Sequence, residues 1–129
     1  MADWDEADLF AVPLLDGGIG IGQVAAPAGA EALVALSILR ADPGRPLAGD
    51  EVAAILRVAP DALESGHWRI LRLESLPRPR SIVDPAQAGT APHDPAIAEA
   101  LLNALAGQLP WDYFPGDFLA GLLRPNFSR

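Results

Sequence analysis

Residues 9–24 read LFAVPLLDGGIGIGQV, and this stretch predicts how the fold begins. The residues before the turn are apolar on both alternating faces, as is typical of a buried strand. Asp16 and Gly17 form a dipeptide suited to a two-residue type I′ turn, in which both central residues take a positive φ. After the turn, isoleucines alternate with glycines, so the pattern keeps a period of two. The stretch therefore predicts a β-hairpin over about residues 9–25.

The glycines of this stretch do not fit a phosphate-binding loop. A dinucleotide fingerprint G-x-G-x-x-G requires its third glycine at the position of Gln23, and no helical pattern follows. The G-x-x-x-x-G-K-[ST] loop is excluded because the sequence has no lysine. Glycine at alternate positions of a strand marks a close approach of the backbone. The glycines are therefore interpreted as a requirement of the fold.

Three further segments continue the first part of the chain. Residues 32–41 form a continuous apolar run that predicts a strand, although a buried helix could show the same run. Residues 49–58, GDEVAAILRV, place apolar residues at helical spacing with acids in the first turn, which predicts a helix. Residues 59–66 are predicted to form an irregular turn. Residues 67–73, HWRILRL, predict another strand.

The C-terminal part is predicted to be helical. Residues 75–92 hold four prolines and predict an extended, exposed connection. Asp94 is suited to cap a helix over residues 94–109, which carries one apolar stripe. Asp117 is suited to cap a short second helix.

Five of the eight aromatic residues lie between Trp111 and Phe127. They close the core of the sheet if the tail folds back onto it. They form a docking surface if they stay exposed, because aromatic residues dominate interface hot spots. In the second case Trp111 and Tyr113 are candidate contacts, and residues 111–127 are a candidate interface between copies of the chain.

These elements predict a single α+β domain over residues 1–129. A twisted, mostly antiparallel sheet is opened by the hairpin at about residues 9–25, and C-terminal helices pack on it. Within this domain a β-rich part covers residues 8–75, a proline-rich connection covers residues 76–92, and a helical, aromatic-rich tail covers residues 93–127.

The net charge of −8 is concentrated in the first half of the chain. Residues 1–66 hold eleven carboxylates against three arginines, whereas residues 67–129 hold six of each. An acidic surface attracts a basic partner and repels nucleic acid, so no nucleic-acid binding is expected. No apolar run reaches the roughly 18 residues of a membrane span, and the acidic start is unlike a signal peptide. With no cysteine present, these features predict a cytoplasmic protein that binds no membrane.

No arrangement of residues predicts catalysis, a metal site or a cofactor. The two histidines, His67 and His93, lie far apart and lack metal-ligand spacing. No serine lies in the sequence context of an activated nucleophile. Asp50 and Glu51 are adjacent, so on a helix they would diverge by about 100° instead of facing each other. A non-enzymatic protein without a metal or cofactor is therefore expected.

The hairpin FAVPLLDGGIGIGQV and the later stretch GHWRI at residues 66–70 resemble a known family. Immunity protein 26 is a family of small bacterial proteins attributed to polymorphic-toxin immunity. It opens with a strand that contains a proline, a turn, and a strand with G-x-G, and a G-x-W precedes a later hydrophobic strand. The resemblance covers about residues 8–75. It implies a protein that neutralises a cognate toxin by occlusion, and it supplies no catalytic residues.

The sequence and the resemblance together predict a non-enzymatic protein-binding module of this immunity type. Its predicted partner contacts are acidic and aromatic residues: Asp3, Asp5, Glu6, Asp8, Asp16, Asp50, Glu51, Trp111 and Tyr113. The alternative is a small-ligand-binding or enzymatic domain with a cleft between the sheet and the C-terminal tail. That cleft would be lined by Trp68, Trp111 or Tyr113.

Overall fold

The computed structural model describes residues 4–125 and 127, and it contains a six-stranded sheet. In chain order the strands and helices are β1 (Asp8–Pro13), β2 (Ile19–Ala28), β3 (Glu31–Ser37), β4 (Val52–Val58), α1 (Asp61–Ser65), β5 (Arg69–Leu73), β6 (Pro92–His93), α2 (Pro95–Leu105) and α3 (Phe118–Gly121). Across the sheet the order is β5-β1-β2-β3-β4-β6. Neighbouring strands are antiparallel except β4 and β6, which are parallel. The predicted α+β class with a mostly antiparallel sheet is confirmed.

The first two strands form the predicted hairpin, with Pro13 of β1 opposite Ile19 of β2. The type I′ turn predicted for its loop is wrong. The backbone N–H of Gly17 donates to the carbonyl of Leu14 at 3.1 Å, and Gly17 takes a φ of 85° while Asp16 keeps a negative φ. A three-residue hairpin loop of this kind needs one residue in the left-handed region, at its last position.

The helix predicted over residues 49–58 is also wrong. A 3-10 turn covers Gly49–Glu51, and β4 follows inside the sheet, between β3 and β6. Both faces of β4 are almost entirely buried, so its apolar residues do not alternate with polar ones. Such a run fits helical spacing as well as it fits a strand. The irregular turn predicted at residues 59–66 instead contains the short helix α1.

One face of the sheet is covered by the three helices and the aromatic tail, and we call it the helical side. Phe10 of β1 stacks on Trp68, with ring centroids 5.1 Å apart and ring planes 3° apart. Both rings are fully buried, as are Leu101 of α2 and Leu119 of α3. Each large apolar side chain buried in this way stabilises the fold by about 1.5–3 kcal/mol.

Helix α2 begins where the sequence predicts. The side chain of Asp94 accepts a hydrogen bond from the backbone N–H of Ala96 at 2.9 Å, and Pro95 occupies the first helical position. The helix ends at Leu105 instead of residue 109, because Gly107 takes a φ of 77° that a helix cannot continue. The predicted second helix is α3, which directly follows Asp117.

The opposite face is covered by two loops, and we call it the loop side. Residues 38–48 pack over β1 and β2, and residues 76–88 pack over β3 and β4. The exposed connection predicted for residues 75–92 is therefore wrong in part, since Ile82 and Val83 are buried. This face of the sheet is apolar, and removing it from water requires a cover that the helices do not supply.

Candidate functional site

The acidic residues predicted as partner contacts do not share one surface. Asp5 and Glu6 precede β1 at one end of the sheet, whereas Asp16 lies in the hairpin loop at the other end. Asp50 and Glu51 lie in the turn before β4, at the same end as Asp16, because β1 and β4 run in opposite directions. The predicted acids therefore lie in two groups, at opposite ends of the sheet.

Asp8 is not a surface residue. It is only 8% exposed, and its carboxylate accepts a hydrogen bond from the backbone N–H of Asp5 at 2.8 Å. Its position on β1 therefore gives it a local structural role in the turn that leads into the sheet. The remaining predicted acid, Asp3, lies outside the described residues.

Two of the predicted acids are already paired with arginines. Glu51 receives two hydrogen bonds from Arg45, at 2.8 and 2.9 Å, and this guanidinium is the main reason why the pKa of Glu51 is lowered. Asp16 is paired with Arg40. The pKa of Asp16 is lowered mainly by the backbone N–H of Gly18 and next by that arginine. These carboxylates present little unmatched charge to a partner.

The exposed aromatic residues form a connected row on the helical side. Tyr113 contacts Phe114 edge to face at 5.1 Å, Phe114 contacts Phe118 at 5.5 Å, and Phe118 contacts His93 at 6.1 Å. Tyr113 is 59% exposed and Phe118 is 39% exposed. We call these four residues the aromatic row.

The aromatic tail thus contributes some side chains to the core and others to the surface. Phe114 is partly buried against the core, and so is Trp111, the second aromatic residue predicted as a contact. The inner residues hold the segment on the sheet, and the outer rings of Tyr113 and Phe118 remain in water. Sequence analysis missed His93 as a member of the row, because only the pairing of β6 with β4 brings it beside α3.

The chain around the aromatic row is acidic. Residues 93–123 contain Asp94, Glu99, Asp112 and Asp117 and neither lysine nor arginine. Asp112 and Asp117 directly precede the two exposed rings, Tyr113 and Phe118. Helix α1, which packs on the same face, adds two more acids. The helical side therefore combines exposed aromatic area with negative charge.

No protein-family model, curated protein or solved structure matches this chain. Its function is therefore inferred from its own residues and their geometry. Among residues 4–125 and 127, none of the helices has the length and apolar character needed to cross a membrane.

A groove of about 500 Å³ lies between α1 and α2. The carboxylate of Glu99 lies there 2.9 Å from Nε2 of His67, and it accepts a hydrogen bond from the indole N–H of Trp68 at 2.8 Å. Ser65 also lines the groove, but its hydroxyl donates to the carbonyl of Ala62 and is not bonded to the imidazole of His67. The three groups are therefore not arranged as a nucleophilic triad, which needs a direct serine–histidine hydrogen bond.

The predicted aromatic cleft differs from this groove. Trp68 is fully buried in the core, so its ring does not line an open cleft. Among the described residues, no group of three histidine, aspartate or glutamate side chains is placed to hold a metal ion.

Proposed function

We propose that this chain is a non-enzymatic protein-binding module that binds a basic protein through its helical side. The exposed aromatic row within an acidic stretch free of lysine and arginine is the observation that supports this proposal. The site differs from the one expected from the acidic half of the sequence, and of the predicted contacts it keeps Tyr113.

The two features of this surface act in different steps of binding. Aromatic rings such as Tyr113 and Phe118 supply large contact areas at a low cost in side-chain entropy. The carboxylates around them attract a positively charged partner and accelerate its association. Elsewhere on the molecule, three carboxylates are paired with arginines: those of Asp16, Asp42 and Glu51.

We further propose an immunity role, in which the protein occludes a cognate bacterial toxin in the cytoplasm. The resemblance of residues 10–24 to the opening pattern of immunity protein 26 supports this role. Neutralisation by occlusion needs an exposed surface that a partner can cover, and Tyr113 and Phe118 are exposed on the helical side.

The test starts from the tagged full-length chain, incubated with extract of its native host at moderate salt. We expect a near-stoichiometric basic protein, whose purified form then binds the chain with an affinity that falls as salt is raised. Phe118→Ala should weaken this binding by about tenfold or more, as expected for a residue at an interface hot spot. Leu73→Ala is the matched control, because Leu73 is 68% exposed but lies on the edge strand β5.

Two results would contradict the proposal. Equal affinities of Phe118→Ala, Leu73→Ala and the unmodified chain would place the interface elsewhere. The second result has two parts: the chain captures no protein in stoichiometric amount, and it sediments as a dimer that Phe118→Ala dissociates. The aromatic row would then be an interface between two copies of this chain.

The alternative function, binding of a small ligand, is favoured by one observation, the groove between α1 and α2 with His67 beside Glu99. A ligand in this groove would perturb the NMR signals of the His67 imidazole and leave those of His93 unchanged. A library screen that gives no such perturbation would remove this alternative.

A further inference from the structure

A cavity lies away from the aromatic row, at the join between the N-terminal segment and the loop side. It has a volume of about 640 Å³. Glu6 and Ala7 form its wall on one side, and Ser75, Leu76, Arg78 and Arg80 are among the residues that line the other. This volume lies in the range of small-molecule sites, about 300–1,000 Å³, and far exceeds that of a single ion.

The cavity wall is held in place by a buried glutamine. Gln23 of β2 is fully buried, and its side-chain amide donates hydrogen bonds to the carbonyls of Ala7 and Glu74, each at 2.9 Å. The backbone N–H of Glu74 also donates to the carbonyl of Ala7, at 3.2 Å. These bonds join the two segments that line the cavity, so the cavity is formed before any ligand binds.

Ala7 itself adopts an uncommon backbone conformation. Its φ is 74°, and it is the one non-glycine residue with a positive φ among the described residues. Strained backbone of this kind persists where the surrounding structure fixes it, and it is concentrated at binding sites.

Two arginines of the cavity lack the partners that five other arginines of the chain have. Arg40, Arg45 and Arg72 bind carboxylates, and Arg57 and Arg124 donate to backbone carbonyls. Within the described residues, Arg78 and Arg80 have neither an ion pair nor a side-chain hydrogen bond, and both line the same cavity.

We propose that this cavity binds a small organic anion. Arg78 and Arg80 would bind its phosphate or carboxylate group, since guanidinium groups form strong, charge-assisted hydrogen bonds to oxyanions. Leu76 offers apolar contact to the body of the ligand. Glu6 accepts a hydrogen bond from a hydroxyl or ammonium group and disfavours a second anionic group. The site is therefore selective for a ligand with one oxyanion on a compact organic body.

This inference is independent of the proposed protein partner. The overall charge of −8 opposes the accumulation of anions on the protein surface, so saturable anion binding requires a local site.

The probes are phenyl phosphate and benzoate, which distinguish a phosphate from a carboxylate. Benzyl alcohol is the uncharged control, and inorganic phosphate tests whether the ion alone is sufficient.

The measurement is an NMR titration of backbone amides in 0.15 M salt, with affinities checked by calorimetry. We expect one of the two organic anions to give saturable shifts centred on Ala7, Ser75 and Arg80. The double variant R78Q/R80Q should weaken its binding by about tenfold or more. R69Q is the matched control, because Arg69 is an exposed arginine on the sheet edge that does not line the cavity, and it should change affinity by less than about twofold.

Three outcomes would overturn the inference. The first is the absence of saturable shifts with either organic anion at concentrations up to about 10 mM. The second is an equal loss of affinity in R69Q and R78Q/R80Q, which would indicate attraction to any surface arginine. The third is equally tight binding of inorganic phosphate and phenyl phosphate, which would show an adventitious ion only. Urea unfolding of each variant verifies that the fold is retained.

Discussion

Gly22 of β2 should not tolerate even a single added methyl group. A Cβ at this position would lie 2.5 Å from Cζ and 2.7 Å from Cε1 of Phe10, and 3.1 Å from the carbonyl oxygen of Ala35. Phe10 would have to move by about 0.9 Å to restore an ordinary contact of 3.4 Å. It has no free space for that movement, because it is fully buried and stacked on Trp68.

The expected cost of Gly22→Ala follows from these contacts. Overpacking of a core typically costs about 1–3 kcal/mol, and the upper end of this range applies here because the contact is short and Phe10 is fully buried. Replacing glycine by alanine restricts the unfolded chain, which offsets about 0.4–1 kcal/mol of this cost. The net loss in the free energy of unfolding is therefore about 2 kcal/mol, a decrease of about 30-fold in the ratio of folded to unfolded protein.

Urea unfolding monitored by tryptophan fluorescence measures this loss. With a typical dependence of about 2 kcal/mol per M, the midpoint should fall by about 1 M. Gly20→Ala is the matched control on the same strand, because its nearest new contact would be 3.3 Å, to a terminal methyl of Leu102, which has to shift by only about 0.1 Å to reach an ordinary distance. We expect that variant to differ from the unmodified chain by less than about 0.5 kcal/mol. Equal midpoints for Gly22→Ala and Gly20→Ala would refute the packing argument.

Three further predictions concern stability. Asp94→Ala should lower the free energy of unfolding by about 1 kcal/mol, because α2 loses its N-cap, and urea unfolding measures the change. Trp68→Phe should cost about 2 kcal/mol or more, since it leaves a void and removes the 2.8 Å hydrogen bond to Glu99; calorimetry should show a lower Tm. Hydrogen bonds, mainly from a backbone N–H at Asp16 and from an arginine at Glu51, lower the pKa of both carboxyls. The contribution of these two carboxylates to stability is therefore present above about pH 4.5 and is lost as the pH falls through their folded-state pKa values. Unfolding midpoints that stay constant from pH 5 to pH 3 would contradict this prediction.

The accuracy of the sequence predictions depends on how many faces of each element are buried. The position of the hairpin and the start of α2 were predicted correctly because glycine, Asp94 and Pro95 are local signals that act within a few residues. Strand β4 was predicted as a helix because burial on both faces removes the alternation that identifies a strand. The covering role of residues 76–88 had no local signal, since it depends on an apolar sheet face formed by distant segments.

The candidate sites show the same limit. The clustering of aromatic residues between Trp111 and Phe127 was visible in the sequence, but the separation of buried from exposed rings was not. The acids predicted to form one surface lie at opposite ends of the sheet, and two of them pair with arginines, which the sequence does not reveal. Arg78 and Arg80 lie in the proline-rich connection, and only tertiary structure places both at a cavity with Ala7.

The position of α2 in the chain also has a consequence for synthesis on the ribosome. Strands β1 to β4 are made first, and each of them pairs with the next one in the chain. The helical side of this nascent sheet stays open to water until Pro95–Leu105 has been translated and has left the exit tunnel. Translation at roughly 5–20 residues per second makes this interval last seconds. During that time the apolar face is available to chaperones, and to other nascent chains of the same protein.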